Sequence, residues 1–289
     1  MTRISQFLGE EADLGPEKRI TILSAPLASS VSWMGGTELG PQAIIDASPA
    51  LEVFDDELLV ETVRLGIETR PTPDFTTITA AEACLRIEKS MAAELAGGRF
   101  PVLLGGEHTV TVPAVKACLA QYPDLHVVQI DAHLDLRQEY EGNENSHACV
   151  MRRLDDLGIP FTQIGIRSFS KEEYELVRAR GLRPFFMQRI RKEHDWIAQV
   201  CREIKGPVYL TCDVDGLDPT IMPATGTPEP DGLTWRETID LLRELARSHR
   251  IVAMDFVEFS PRSGAEHAAF TVAKLIYRTL GYVFQQKNP

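Results

Sequence analysis

The most informative stretch of the chain is His126-Val127-Val128-Gln129-Ile130-Asp131-Ala132-His133-Leu134-Asp135, an apolar run that ends in two carboxylates and an imidazole. A run that is apolar at successive positions, instead of at alternate ones, is typical of a strand covered on both faces of its sheet. Three further runs end in similar residues: Val102-Leu103-Leu104 leads into Gly105-Gly106-Glu107-His108, Val208-Tyr209-Leu210-Thr211-Cys212 into Asp213-Val214-Asp215, and Val252-Ala253-Met254 toward Asp255 and Glu258. Four predicted strand ends therefore carry side chains that can do chemistry.

Around these runs, short β-branched segments alternate with helical patterns. The predicted strands are residues 19–23, 63–67, 101–104, 126–130, 161–166, 183–186, 208–212 and 251–256. The predicted helices are residues 78–96, 110–120, 172–180, 193–204, 235–246 and 265–280. This alternation predicts parallel βαβ units in one three-layer α/β/α domain, with no linker to divide residues 1–289. Ligand sites in such sheets lie beyond the carboxyl ends of the strands, where the polar residues above are found.

The charge balance is acidic, because 30 Lys and Arg against 42 Asp and Glu give a formal net charge of −12. Such a surface repels phosphate backbones, which argues against general nucleic-acid binding. No run approaches the roughly 20 apolar residues of a membrane span, and the first residues lack a signal-peptide pattern. The five cysteines form no CxxC pair. We therefore expect a cytoplasmic protein with reduced cysteines and no membrane partner.

The residues at the strand ends are the donor types of a metal site. The candidate ligands are His108, Asp131, His133, Asp135, Asp213 and Asp215. Four clustered carboxylates repel one another unless cations neutralise them, and six ligands without a thiolate exceed the four of a structural zinc site. The set suits Mn²⁺, with Fe²⁺, Co²⁺ or Zn²⁺ as alternatives, and two ions about 3.5–4 Å apart could activate water. The open alternative is a metal-free domain whose acidic residues cap turns and helices.

Six motifs, in family order along the chain, resemble the ureohydrolase family, which includes arginase, agmatinase and related guanidino-acid hydrolases. They are Gly105-Gly106-Glu107-His108-Thr109, Asp131-Ala132-His133-Leu134-Asp135, Ser146-His147-Ala148-Cys149, Asp213-Val214-Asp215-Gly216-Leu217-Asp218-Pro219, Pro223-Ala224-Thr225-Gly226-Thr227-Pro228 and Val257-Glu258-Phe259-Ser260-Pro261. The resemblance implies a single α/β/α domain around an eight-stranded, mostly parallel sheet, and a homo-oligomer that is a trimer or hexamer.

The resemblance also implies a site with two Mn²⁺ per subunit that hydrolyses a guanidinium group to an amine and urea. It implies His108, Asp131, Asp135 and Asp213 as ligands of one ion, and His133, Asp131, Asp213 and Asp215 as ligands of the other. Asp131 and Asp213 would then bridge the metals. A guanidinium is a poor electrophile, and a hydroxide that bridges two divalent ions is a strong nucleophile at neutral pH. Asp135 could also orient that hydroxide.

Further roles follow from the same resemblance. His147 matches the family's proton-shuttling histidine, and an imidazole suits protonation of the leaving amine near pH 7. Glu258 matches the carboxylate that pairs with the substrate guanidinium, and Thr227 helps to shape the site. Glu107 stands where many family members carry Asp, and we expect it to accept a hydrogen bond next to His108.

The preferred substrate is inferred from the acidic segment 136–146, which holds Glu139, Glu141 and Glu144 against a single cation, Arg137. Acidic groups attract a distal ammonium and repel a carboxylate, by about 1 kcal/mol per close pair in wet surroundings. This favours agmatine, hydrolysed to putrescine and urea, with Glu139 near the amine. Two alternatives stay open: the glutamates could be solvated surface charge, or Arg137 could bind the carboxylate of 4-guanidinobutyrate. Arginine is less favoured.

Two rival functions are also open. A non-catalytic guanidine or polyamine sensor would keep the same residues without turnover. A metal-dependent deacetylase, from a family of similar α/β architecture, would use one zinc ion and lack the full carboxylate set. Release of urea separates a ureohydrolase from both.

Overall fold

One parallel sheet forms the centre of the molecule. In the computed structural model, which describes residues 5–285, the sheet has eight strands in the order β2-β1-β3-β8-β7-β4-β5-β6. The strands are β1 (Ile20–Ala25), β2 (Ile67–Thr69), β3 (Phe100–Gly105), β4 (His126–Ile130), β5 (Phe161–Ile166), β6 (Phe185–Phe186), β7 (Val208–Asp213) and β8 (Ile251–Val257). Every neighbouring pair is parallel. The predicted α/β fold with an eight-stranded sheet is confirmed.

Helices cover both faces of this sheet. They are α1 (Gly40–Ala47), α2 (Ala80–Ala96), α3 (Thr111–Leu119), α4 (Val150–Asp156), α5 (Lys171–Arg180), α6 (Met187–Ile190), α7 (Trp196–Glu203), α8 (Trp235–Ser248) and α9 (His267–Gln285). Ile22 of β1 belongs to the same core as Trp196 of α7, whereas Leu23 belongs to the core that contains Met91 of α2. Burial on both faces explains why the strands are apolar at consecutive positions. Among the described residues, no helix has the length and hydropathy needed to cross a membrane.

The second strand lies later in the chain than predicted. Residues 63–67 were expected to form it, but Thr62–Leu65 is a 3-10 turn and the strand is Ile67–Thr69. Gly66 accounts for the difference, since its φ is +77° and a Cβ there would lie 1.4 Å from the carbonyl oxygen of Glu17. The chain therefore bends at this glycine, and the strand paired with β1 begins at the next residue, Ile67.

The strand order brings the predicted ligands together. The strands β3, β8, β7 and β4 are consecutive neighbours at the centre of the sheet. Their carboxyl ends lead to His108, Glu258, Asp213 and Asp131. Because the strands are parallel, these four ends meet at one edge of the sheet, the usual place for a ligand site in this class.

Candidate active site

A glycine turn places His108 at this edge. The strand β3 ends at Gly105, and a Cβ on the following Gly106 would lie 2.1 Å from the carbonyl oxygen of Leu27. Only glycine allows so close an approach of two backbone segments. The chain then enters a short 3-10 turn, His108–Val110, which leads into α3 and leaves the imidazole of His108 buried.

The first group of potential ligands surrounds Nδ1 of His108. This atom lies 3.0 Å from Asp135 Oδ2, 3.2 Å from Asp131 Oδ2 and 3.5 Å from Asp213 Oδ2. All three carboxylates are buried. One ligand atom each from His108, Asp131 and Asp213 lies within 4.8 Å of the others, so a single ion between them could contact all three.

The second group adjoins the first and shares Asp131 with it. His133 Nδ1 lies 3.0 Å from Asp215 Oδ2 and 3.6 Å from Asp131 Oδ1. The two oxygens of Asp131 thus approach different histidines, Oδ2 next to His108 and Oδ1 next to His133. The structure brings all six predicted ligands into one cluster, in which Asp131 occupies the shared position. The predicted bridging role of Asp213, which lies in the first group, stays a prediction.

The electrostatics of the cluster favour additional positive charge. Burial opposes charging of the imidazoles, but the neighbouring carboxylates outweigh it and raise the pKa of His108 and that of His133 well above the usual range. Burial and adjacent carboxylates raise the pKa of Asp213 well above its usual range, and they raise the pKa of Asp135 to about 7. Divalent cations would relieve the repulsion that these shifts reflect.

The surroundings of His108 test whether these residues fit a metal ion. Its Nδ1 is buried and makes no hydrogen bond, whereas its Nε2 lies 2.8 Å from Thr211 Oγ1. Thr211 Oγ1 in turn lies 3.3 Å from the hydroxyl of Thr111, which donates to Asp255 Oδ2 at 2.8 Å. The two threonines thus connect the imidazole of His108 to the buried carboxylate of Asp255. A histidine oriented through one ring nitrogen, with the other among carboxylates, is typical of a metal ligand. The residues present fit divalent metal ions.

Two carboxylates of the site lie on unusual backbone. Asp135 has a φ of +52° and Glu258 a φ of +63°, a left-handed conformation that costs a residue with a side chain roughly 1–3 kcal/mol. In this conformation Glu258 Oε1 accepts a hydrogen bond of 2.7 Å from the N–H of His108. Burial raises the pKa of Glu258 to about 8. A cation bound beside this carboxylate would therefore be favoured, because it would offset the cost of burying the negative charge.

The cluster lies in a cavity of about 330 Å³, a size typical of small-molecule sites. His147, Thr227 and Arg137 also line this cavity. The hydroxyl of Thr227 donates to Asp215 Oδ2 at 3.4 Å. Trp33, a residue that is 71% exposed, belongs to the lining as well and not to either core.

The acidic segment lies mostly outside the lining of this cavity. Glu139, Glu141 and Glu144 are all exposed, and Glu144 pairs with Arg153 at 3.4 Å. In the part of the chain that the structure describes, none of the three glutamates lines the cavity. The role predicted for Glu139 in binding the substrate therefore has no contact to support it and stays a prediction.

Sequence reasoning missed the loop after β1, which contacts His147. Ser30 Oγ lies 2.9 Å from His147 Nδ1, and Ser32 Oγ lies 2.7 Å from its Nε2. Glu107 accepts hydrogen bonds from the N–H groups of Ser29 and Ser30 at 2.7 and 2.6 Å, which agrees with its expected acceptor role. Burial lowers the pKa of His147. No motif or spacing pointed to these serines, since they are separated from His147 by more than 100 residues.

Arg167 is a second residue that the sequence did not single out. Its Nη2 donates to the carbonyl oxygens of Asp215 and Glu229, both at 2.7 Å, and its Nε donates to that of Pro230 at 2.9 Å. A fourth bond, from Nη1 to the carbonyl of Gly165, measures 3.1 Å. The guanidinium thus joins the segment that carries Asp215 to another segment of the cavity wall and to β5.

Comparison with known proteins agrees with this geometry. Residues 18–281 match the model of the arginase family. An N(1)-aminopropylagmatine ureohydrolase of Thermus thermophilus is 37% identical over 273 residues, covering 94% of this chain and 93% of the relative. An agmatinase of Bacillus anthracis is 35% identical over 252 residues, covering 85% and 84%. The crystal structure of the agmatine ureohydrolase of Thermoplasma volcanium has a TM-score of 0.85 at 29% identity, covering 98% of this chain and 95% of that one. The chain therefore belongs to the arginase family and is a ureohydrolase.

Proposed function

We propose that the protein hydrolyses the guanidinium group of agmatine, releasing putrescine and urea, with two Mn²⁺ ions in its site. The observation that carries this proposal is the pair of ligand groups that share Asp131 within one cavity, with Glu258 beside them. Carboxylate and imidazole donors without a thiolate suit Mn²⁺. When bound, the two ions would supply a strong nucleophile from water at neutral pH.

Glu258 is the proposed partner of the substrate guanidinium. A planar guanidinium presents paired N–H donors that match the two oxygens of a carboxylate. Its positive charge would offset the burial that raises the pKa of Glu258 to about 8. Because Glu258 is bonded to the backbone of His108, a guanidinium held by this carboxylate lies beside the ligand cluster.

The reaction also requires two proton transfers. A substituted guanidinium, R–NH–C(NH2)2⁺, and water give R–NH3⁺ and urea, so the water loses both of its protons and the leaving nitrogen gains two. Two proton-carrying side chains line the same cavity, Asp135 and His147. We assign to Asp135 the transfer of one proton from the water to the leaving nitrogen, and to His147 the donation of the second proton to that nitrogen. The other proton of the water passes to solvent, from which His147 is protonated again.

The remainder of the cavity favours a substrate whose far end is a cation. Glu173 and Glu229 line the same cavity as the ligand cluster and Glu258. Among the described residues of the lining, Arg137 alone carries a guanidinium, which lies 3.8 Å from Glu173 and 5.3 Å from the centre of the Tyr140 ring. A substrate carboxylate would have to compete with these partners of Arg137, whereas an ammonium would gain from the glutamates.

A second candidate substrate is N(1)-aminopropylagmatine, on which two relatives at 35–37% identity act according to their names. It carries the same guanidinium with one additional amine and would yield urea and a triamine. The acidic wall formed by Glu173 and Glu229 suits this additional cation. The two candidates share the chemistry of the site and differ only at the amine end.

The test is urea release by the Mn²⁺-loaded protein with agmatine, N(1)-aminopropylagmatine, 4-guanidinobutyrate and arginine at equal concentration. We expect turnover of the two amines, with the carboxylate substrates near background. E229Q should raise KM for both amines about 10-fold at an unchanged kcat, since one charge pair of the wall is lost. Preference for 4-guanidinobutyrate, abolished in R137A, would replace the amine assignment. Absence of urea from all four substrates would overturn the proposed function and favour a sensor.

We further propose a cytoplasmic homo-oligomer, trimer or hexamer. The support for this is family likeness together with the five cysteines, all of which are free thiols in the structure. Light scattering of the purified protein during gel filtration tests the assembly, and a monomeric mass would contradict it.

A further inference from the structure

The hydroxyl of Ser30 connects two groups of the site, the buried carboxylate of Glu107 and the imidazole of His147. Ser30 Oγ donates to Glu107 Oε2 at 3.2 Å and accepts from the backbone N–H of His147 at 3.1 Å. The same oxygen lies 2.9 Å from His147 Nδ1. Glu107 Oε1 in turn accepts from the hydroxyl of Ser29 at 2.7 Å. The carboxylate, the serine and the imidazole therefore form a continuous chain.

Counting donors along this chain indicates which ring nitrogen holds the proton. A serine hydroxyl has one proton to donate and two lone pairs to accept with. The carboxylate of Glu107 acts as the acceptor in all its hydrogen bonds to Ser29 and Ser30, so the proton of Ser30 is assigned to the bond with Glu107. One lone pair of Ser30 then receives the N–H of His147. The contact of 2.9 Å with Nδ1 is satisfied only when Nδ1 carries a proton and donates to the second lone pair.

The opposite ring nitrogen is then left as the acceptor. Nε2 of His147 lies 2.7 Å from the hydroxyl of Ser32, which lines the cavity and can donate to it. The opposite tautomer would place two lone pairs against each other, either between Ser30 and Glu107 or between Ser30 and Nδ1. The other hydroxyl near Nδ1, that of Ser146, is more distant at 3.3 Å and can also accept.

We propose that Glu107 and Ser30 are positioning residues that hold His147 in its Nδ1–H tautomer, so that Nε2 is the nitrogen that transfers protons. This inference rests on the proposed function and specifies its proton donor at the level of the atom. Nε2 first takes up a proton from solvent water, which forms the imidazolium. When the substrate C–N bond breaks, this Nε2–H bond breaks and an N–H bond forms at the leaving nitrogen. The Nδ1–H group of His147 keeps its hydrogen bond to Ser30 throughout. The carboxylate of Glu107, on the other side of Ser30, stabilises the transient positive charge of the imidazolium. A histidine whose second nitrogen is fixed in this way is both oriented and kept in the useful tautomer.

The test compares S30A with a matched control, S29A. Both substitutions remove a hydroxyl that donates to Glu107, but only the hydroxyl of Ser30 also contacts His147. The tautomer is read from the ¹⁵N shifts of the two ring nitrogens in long-range proton–nitrogen spectra of protein loaded with diamagnetic Zn²⁺. H147Q identifies the signals of His147. The value of kcat for agmatine is measured on the Mn²⁺-loaded protein.

We expect the wild-type protein and S29A to show a protonated Nδ1 and an unprotonated Nε2. S30A should lose this preference for the Nδ1–H tautomer. Its kcat should fall about 10-fold, with KM within about 2-fold of wild type, because S30A impairs the general acid without removing it, and a general acid usually contributes more than this to the rate. An Nε2–H tautomer in the wild-type protein, or an S30A protein whose kcat equals that of S29A, would overturn the proposal. The tautomer is measured without turnover, so failure of the proposed function, seen as no urea from the wild-type protein, is distinguished from failure of this inference.

Discussion

Replacing Arg167 by methionine tests how the segment that carries Asp215 is held in place. The guanidinium donates three short hydrogen bonds, to the carbonyl oxygens of Asp215, Glu229 and Pro230. Methionine fills a similar volume but donates none of them. Bonds from a charged donor contribute about 1.5–3 kcal/mol each, and part of this is offset because methionine avoids the cost of burying a charge. We expect R167M to lose about 4 kcal/mol of unfolding free energy.

This loss is large enough to measure by thermal unfolding. For a chain of 289 residues, the usual unfolding entropy per residue converts about 4 kcal/mol into a fall in Tm of about 7 °C. R191M is a matched control, because Arg191 also binds a backbone carbonyl, that of Gly232 at 2.7 Å, yet lies exposed among surface ion pairs. Such exposed pairs contribute roughly 0–1 kcal/mol, so R191M should lower Tm by no more than about 2 °C.

Metal binding provides a second measurement on the same variant. Asp215 belongs to the second ligand group, and Arg167 fixes its backbone carbonyl. Loss of a residue that orients a ligand typically weakens metal binding 10–100-fold. We expect calorimetric titration of R167M with Mn²⁺ to show about a 10-fold higher Kd for at least one ion. A variant that keeps both the wild-type Tm and the wild-type Kd would refute the reasoning.

Four further outcomes follow from the site and the core. H133A should abolish urea release yet retain the fold, since His133 lies in the second ligand group; normal activity would remove it from the site. E258Q should lower kcat/KM for guanidines at least about 100-fold, as expected for a lost charged partner, and an unchanged value would exclude Glu258 from guanidinium binding. Titration of the metal-free protein with Mn²⁺ at pH 7 should release protons, because neighbouring carboxylates raise the pKa of His108 above its usual range and burial raises the pKa of Asp213. Calorimetry in two buffers of different ionisation enthalpy measures the number of protons released, and a value of zero would contradict the expectation. Burial lowers the pKa of His126 to about 4, so the neutral ring contributes about 3 kcal/mol to the unfolding free energy, which is present above pH 6.5 and lost as the pH falls toward 4. H126Q should therefore make Tm less dependent on pH in this range, and an equally steep dependence would exclude His126 as its source.

The fold and the ligand cluster could be predicted because both depend on local patterns. Apolar runs marked the strands, and four of these runs led into carboxylates or an imidazole. Parallel topology then requires such ends to meet at one edge. The shift of β2 was not predictable in the same way, because it depends on the close approach of Gly66 to a distant carbonyl, that of Glu17.

The supports of the site could not be predicted because they depend on contacts between distant segments. Ser30 and His147 are 117 positions apart, and Arg167 binds carbonyl groups 48 and 62 positions away. Serines and a lone arginine have no spacing that indicates such contacts. Glu229 of the cavity wall likewise has no spacing that indicates its place, and the role predicted for the exposed Glu139 stays a prediction.

The position of β8 has a consequence for how the protein is made. It is the last of the eight strands in residues 5–285, yet it pairs with β3 on one side and β7 on the other. Until β8 has left the ribosome, no native strand pairing joins β2-β1-β3 to β7-β4-β5-β6, so the strands already synthesised belong to two separate ribbons, each with an unpaired inner edge. The histidine that follows β3 and the aspartates that follow β4 and β7 therefore remain on different ribbons through most of synthesis. Metal can be captured by the complete ligand set only after this final strand has joined the two halves, and a prematurely terminated chain would lack the centre of the protein instead of its periphery.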